Sequence, residues 1–347
     1  MFASLRGRLA LAVGSCALGA ALLGAVAVPA GATVPKAAPQ SAPRSAALDA
    51  PRSASLTVPP GVTAGVAVFD RRTGTFTEQL NPDTQFRSAS VVKLLLALNF
   101  LWGKSPSDVS ANDHDLLDSM LRRSDDVAAQ HYWDTYGRNQ IITTMVPRLG
   151  LTDTVPTPPT ADPAIWGYVG LSAADTVRIY RYILDSAPAW IRDLIMGDLH
   201  ASETCGKDGF DERFGIPSVF ARPWAVKEGW SGFGNTSDCG GGPVTLAAKT
   251  AAAPRTASTV DITRPALHST GTVGTGDRTI VAVFTLQPQN TAFGTAYSNV
   301  NSLVRTLDVP GGSPLPGTVF GTWNNGVHIR AAATTASAVL SVLPAGV

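Results

Sequence analysis

Apolar and polar positions divide the chain into segments of different period. Residues 63–70 (TAGVAVFD) are apolar and β-branched and predict a strand. Arg71-Arg72-Thr73-Gly74 reads as a turn, and 75–80 returns as the second strand of a hairpin. Residues 90–101 are apolar nearly all round, as in a helix buried on every side. Stretches 113–123, 127–135 and 172–184 predict further helices, the last with Ser172 as its N-cap. Residues 224–229 predict a strand, and 266–272 and 279–287 a second hairpin around Gly274-Thr275-Gly276-Asp277. A helix over 296–307 closes the series. The order is two strands, a helical block, more strands and a last helix. The two ends therefore share one sheet and the helical block is inserted between them, an α+β arrangement.

The flanks read differently. Arg6 and Arg8 precede an apolar run over 9–28, and Ala30-Gly31-Ala32 fits a small-x-small cleavage site. Residues 1–32 thus predict a signal peptide cut after Ala32, and a secreted protein. A membrane anchor kept in place, or lipid modification at Cys16, are the alternatives. Residues 33–60 are rich in Ala, Pro and Ser and predict a disordered tether. The folded unit spans 61–308, and 309–317 (VPGGSPLPG) predicts a linker.

Composition narrows the partners. The 347 residues are 44% hydrophobic with a formal net charge of +1, and carry no basic stripe interleaved with aromatics. That pattern excludes a nucleic-acid binder and leaves a small molecule or a cell-wall peptide as partner of a monomer. Removal of the signal leaves Cys205 and Cys239, which are expected to pair in an oxidising compartment. Closing their loop stabilises the fold by roughly 3–4 kcal/mol in the chain-entropy model. Metal binding by these cysteines with His200 is the rival reading, and it lacks a close Cys-x-x-Cys pair. No metal or organic cofactor is called for.

Three short motifs carry the candidate chemistry. Ser90-Val91-Val92-Lys93 opens the buried helix, and Lys93 alone among the lysines has a serine three positions before it. Positions i and i+3 share a helix face, so the amine reaches the hydroxyl. Burial favours the neutral amine, which can accept the hydroxyl proton. Ser90 as a plain cap with Lys93 snorkelling to solvent is the bland alternative. Ser124-Asp125-Asp126 follows the second helix, and Lys227-Glu228-Gly229 ends a strand. Neither motif is informative alone; their order and spacing are.

Phe86 to Lys93 (FRSASVVK), with the two later motifs, resembles the class A β-lactamases and penicillin-binding proteins. That family carries Ser-x-x-Lys, Ser-x-Asn and Lys-Thr-Gly or Lys-Ser-Gly in this order. The resemblance covers about 61–307. It implies a five-stranded antiparallel sheet flanked by helices in three layers, beside an all-helical subdomain. It further implies Ser90 as the acylated nucleophile, Lys93 as its base, and Ser124 as the proton relay to the leaving group. Lys227 is implied as the charge beneath the site, with Asp126, Glu228, Gly229 and Trp230 on the substrate. The N–H groups of Ser90 and Trp230 would form the oxyanion hole. Residues 318–347 resemble the first half of a bacterial Src-homology-3-like module, an expected contact with cell wall.

Two departures from the family pattern stand out. The chain has no glutamate between Glu78 and Glu203, so none can sit on the deacylation loop, expected near 152–170. Asp162 is the nearest substitute and predicts slow release of an acyl group. Glu228 stands where the family has Thr or Ser. An ionised carboxylate there repels a substrate carboxylate by roughly 4 kcal/mol at about 4 Å and an effective dielectric near 20. Asp126, in place of Asn, adds to this. The reading is an exported serine hydrolase acting on a β-lactam, a cell-wall peptide or a small ester or amide. The alternative is a catalytically degenerate scaffold that binds cell wall. His268 and Trp230 are weighed as site residues against packed core positions.

Overall fold

The computed structural model describes residues 56–158, 165–233, 239 and 260–316, and the strands 327–330 and 339–343. The signal, residues 33–55 of the expected tether and Asp162 lie outside the described residues; the last part of that stretch, 56–60, packs on the domain through Leu56 and Val58. Among the described residues no helix is long and apolar enough to cross a membrane.

β1 (Thr63–Asp70) and β2 (Thr75–Leu80) form the first hairpin. A two-residue strand β3 (Phe86–Arg87) leads through a 3-10 turn (Ala89–Val92) into α1 (Lys93–Leu101). The helical block continues with α2 (Ala111–Arg122), α3 (Asp126–Thr135) and α4 (Asn139–Leu149). β4 (Gly170–Leu171) pairs with β3, and α5 (Ala173–Arg181) and α6 (Ala189–His200) follow. After the short α7 (Ile216–Val219) come β5 (Trp224–Ser231), β6 (Ala266–Val273), β7 (Thr279–Leu286) and α8 (Phe293–Arg305). The five long strands form one antiparallel sheet in the order β2-β1-β7-β6-β5. Chain ends and chain middle thus meet in one sheet, the expected α+β architecture.

Strand alternation divides the core into two layers. On β1 and β7, Ala67, Phe69, Ile280, Ala282 and Phe284 face α1 and its neighbours. Val66, Val68, Val281 and Val283 face α7 and α8 on the other side. Both faces are covered, so these strands run without a polar break from 64 to 69 and from 280 to 284. α1 is buried because α2, α3 and α4 pack around it, while α5 lies against β1 and β7.

Local signals set the helix starts. α2 begins two residues earlier than the hydrophobic pattern indicates, because Ser110 accepts from Asp113 N at 3.2 Å while the Asp113 carboxylate accepts from Ser110 N at 3.0 Å. This reciprocal cap satisfies two orphan amides. Ser172 accepts from Asp175 N at 3.0 Å, as expected of an N-cap. The buried Asp175 carboxylate then takes Thr152 N, Asp153 N and Thr154 Oγ1 at 3.0, 2.8 and 2.7 Å, which fixes the start of the loop that leads to the site.

The stretch after α8 is held against the domain. Ala221 N donates to Ser313 O at 2.8 Å and Leu315 N to Val219 O at 2.8 Å. Of the Src-homology-3-like segment, β8 (Val327–Arg330) and β9 (Val339–Leu343) are described, as an antiparallel pair.

Candidate active site

The site forms where the start of α1 meets the free edge of β5. Ser90 lies within the 3-10 turn, one turn ahead of Lys93, and both are buried. In a 3-10 turn side chains at i and i+3 eclipse, and Lys93 Nζ donates to Ser90 Oγ at 2.8 Å. Ser90 is not a cap: the N-cap of this turn is Ser88. Ala89 takes φ 44, a left-handed conformation that an alanine adopts only at a cost of about 1 kcal/mol. Ser88 N donates to Val169 O at 2.7 Å and holds the strained segment in place.

Ser124 sits in the bend between α2 and α3, also left-handed at φ 54. The preceding helix ends at Arg122, and the next begins from Asp125, whose carboxylate caps Val127 N at 2.8 Å. Of the two adjacent acids, Asp125 is therefore a structural cap. Asp126 turns to the site, where its Oδ1 accepts from Lys93 Nζ at 2.7 Å with its side chain 46% exposed. Lys93 also donates to Ser124 O at 2.7 Å and Ser124 Oγ at 3.3 Å. Lys227 Nζ reaches the same Oγ at 2.7 Å from β5. Ser90, Lys93, Ser124 and Lys227, far apart in sequence, thus form one continuous hydrogen-bonded chain. Burial lowers the Lys227 pKa to about 8, and the Lys93 charge adds to this.

β5 is the edge strand of the sheet, so alternate backbone groups face Ser90 rather than another strand. Lys227 Nζ donates to the Glu228 carbonyl at 3.2 Å. Alternation puts the Trp230 N–H on the same edge as that carbonyl. Gly229 makes the approach possible. A Cβ there would lie 3.1 Å from Ser88 O and 3.3 Å from Ser90 N, backbone atoms that cannot swing away.

Glu228 itself points away from this edge. Its carboxyl is buried against β6, where Ser269 Oγ donates to Oε1 at 3.0 Å. Burial, with the nearby Glu212 charge, pushes its pKa well above the carboxylate range. The carboxyl expected to repel a substrate carboxylate is therefore turned away from the site, and Asp126 is the acid at its mouth. The Trp230 ring stacks on Phe210 with centroids 3.7 Å apart.

Two residues not singled out in the sequence join the site. Trp166 covers Lys93, with Nζ 4.6 Å from its ring centroid, from the loop where the deacylation residue was expected. Glu212 is buried beside Ser124 and both lysines. Both come from loops whose course no periodicity indicates. Cys205 and Cys239 form a disulfide that ties the Glu212 loop to the segment after β5.

His268 is a packed strand residue. Its Nδ1 accepts from Thr285 N at 3.1 Å, so its Nε2 carries the proton and donates to Arg87 O at 2.8 Å. Burial lowers its pKa to about 3. The unfolded chain binds this proton near pH 6.5 and the folded chain does not. Stability from this group is thus complete above 6.5 and is lost as pH falls toward 3, at up to about 1.4 kcal/mol per unit. His268→Gln, which keeps a donor and an acceptor, is expected to flatten the fall of melting temperature between pH 6 and 4. An unchanged slope would refute the assignment.

A mycobacterial protein described as "Putative lipoprotein LppW", from Mycobacterium tuberculosis and Mycobacterium bovis, is 34% identical over 255 residues, 71% of this chain and 70% of the relative. The chain belongs to the LppW family. No protein-family model matches it. The LppW-type fold resembles the class A β-lactamase from Mycobacterium abscessus, with 17% identity, TM-score 0.47, and coverage of 71% and 92% of the two chains. It also resembles a point mutant of PBP-A, solved as an acyl-enzyme complex with penicillin G, with 16% identity, TM-score 0.48, and coverage of 71% and 89%. The five-stranded sheet is covered by helices on both faces, the architecture that the sequence resemblance implies.

Proposed function

We propose that Ser90 is the acylated nucleophile of an exported serine hydrolase that forms a long-lived acyl-enzyme. The observation that carries this reading is the buried hydrogen-bonded chain Ser90–Lys93–Ser124–Lys227. Lys93 in its amine form takes the Ser90 proton as Oγ attacks the substrate carbonyl. The developing oxyanion faces the N–H groups of Ser90 and Trp230. Ser124 then gives its proton to the leaving nitrogen or oxygen and regains one from Lys93. The acyl group remains as an ester on Ser90. Its release needs a base to activate water, and the described part of the expected loop presents the Trp166 ring to Lys93 instead. Of the two carboxylates of that loop, Asp153 is engaged by Ser172 Oγ at 3.1 Å, which leaves Asp162.

The Lys93–Asp126 ion pair favours a second reading. A carboxylate 2.7 Å from Nζ engages the amine in an ion pair that competes with its contact to Ser90. On that reading the domain binds a cell-wall peptide without acylation, and residues 318–347 add contact with the wall.

One experiment separates them. The mature protein is incubated with a fluorescent penicillin and, in parallel, with a fluorophosphonate, then digested and mapped by mass spectrometry. A probe-sized mass increase on the Ser90 peptide that persists for hours supports the acyl-enzyme. No adduct on Ser90 with either probe leaves the binding reading. The relative's name as a lipoprotein supports export. The mature N-terminus, at Thr33 or at a lipid-modified Cys16, decides the route.

A further inference from the structure

Glu212 has no counterpart among the three motifs, yet it is built into the site. The loop that carries it is laid directly on the residues before Ser124: Glu203 N donates to Arg122 O at 2.9 Å and Lys207 N to Arg123 O at 2.6 Å. The loop closes on itself through Gly206 N to Phe210 O and Glu212 N to Thr204 O, each at 2.9 Å. The Cys205–Cys239 disulfide and the Phe210 ring on Trp230 fasten its two sides to the segment after β5 and to β5.

This scaffold drives a carboxyl into the interior. Glu212 is 6% exposed and its Oε1 has no hydrogen-bond partner. It shares a cavity of about 10 Å³ with Glu228, whose Oε2 is likewise without a partner. A buried carboxylate persists as an anion only beside a cation. Arg213 lines the same cavity, but its guanidinium is engaged by Asp211 at 2.7 Å. The remaining cations are Lys227 and Lys93. Glu228 faces the neutral Ser269 hydroxyl, so of the two carboxyls Glu212 is the one placed to be charged.

We infer that Glu212 is a positioning residue, the buried counter-charge that keeps Lys227 in its ammonium form and thereby holds the Ser124 hydroxyl in line with Lys93. The groups around Lys227 agree. Desolvation lowers its pKa to about 8, and Glu212 is the largest opposing influence; Lys93 lowers it further, while Glu228 and Asp126 raise it. Glu212 itself is raised by burial and by Asp208, and lowered by Lys227, Lys93 and the Ser124 hydroxyl.

The inference rests on the acyl-enzyme reading only in its kinetic arm, so the test has two. The first follows the side-chain ammonium of Lys227 by NMR in lysine-labelled protein, with its resonance identified by its loss in Lys227→Arg. In wild type it is expected to titrate near pH 8. In Glu212→Gln the midpoint is expected to fall by one pH unit or more, and in Glu212→Asp by less, with the same sign. The second records Ser90 labelling by penicillin against pH, whose alkaline limb is expected to move by the same amount. An unmoved Lys227 midpoint, in whichever variant folds, overturns the inference. A wild type that never labels would instead remove the acyl-enzyme reading, and the titration would still decide the role of Glu212.

Discussion

Replacing Lys93 by methionine is expected to slow penicillin labelling of Ser90 by about 10³-fold, while the protein stays folded. General-base assistance contributes roughly 10²- to 10⁴-fold when the base is held in place. Lys93 is held by four acceptors and is fully buried. Its loss removes both the proton acceptor and the contact that orients Ser90 Oγ. Stability should respond differently. Methionine keeps the length and the packing under Trp166 and relieves the desolvation of a buried cation. Asp126 loses its partner but is half-exposed and can be solvated. The expected change in melting temperature is a few degrees in either direction. The measurement is the second-order labelling rate beside a thermal melt. Labelling within threefold of wild type in a folded variant would show that Lys93 is not the base.

That separation of rate from stability reflects how the site is built, and what the sequence could disclose of it. The sheet was legible because β1 and β7 run without a polar break from 64 to 69 and from 280 to 284, the mark of strands covered on both faces. The buried helix was legible because α1 is apolar except at Lys93 and Asn99, too few polar positions to make a solvent face. Lys93 was conspicuous for the same reason: a lysine among Leu, Ala and Phe has to be either paired or chemically useful. Two helices gave weaker signals. α4 contains Pro147 yet continues to Gly150, which closes it in the left-handed conformation at φ 62. α6 carries Gly197 in its last turn. In both, tertiary packing of Ile141, Ile142 and Met145, or of Ile191, Ile195 and Leu199, outweighs a poor helix former.

The parts of the site that stayed hidden are those set by loops. Trp166 and Glu212 sit on segments with no periodicity, and each reaches Lys93 or Lys227 through contacts between distant parts of the chain. Trp166 depends on the Val155–Gly170 pairing at the end of its loop. Glu212 depends on the backbone bonds to Arg122 and Arg123. Charge assignment was the other gap. Glu228 and Asp126 both appear in the sequence as acids replacing neutral family residues. Only burial distinguishes them: Glu228 is enclosed against Ser269, with its pKa raised by burial, whereas Asp126 meets both Lys93 and solvent.

Asp126 is therefore where one substitution should make the site faster. Asp126→Asn is expected to raise penicillin labelling of Ser90 about tenfold. Asparagine keeps an oxygen to accept from Lys93 Nζ, so the hydrogen bond survives while the negative charge does not. Without that charge the ion pair that competes for Lys93 Nζ is gone, and an approaching substrate carboxylate meets no repulsion. A half-exposed pair is screened, so the combined effect is on the order of 1 kcal/mol rather than the several expected of a buried one. About 1.4 kcal/mol corresponds to tenfold in rate. The two contributions separate by probe. If loss of the competing ion pair dominates, labelling by the fluorophosphonate, which has no carboxylate, accelerates as much as labelling by penicillin. If repulsion dominates, penicillin alone accelerates. A rate that is unchanged or lower with both probes would mean that Asp126 supports the nucleophile rather than restrains it. The ion pair would then be part of the working proton path, with the carboxylate receiving the proton that Lys93 passes on.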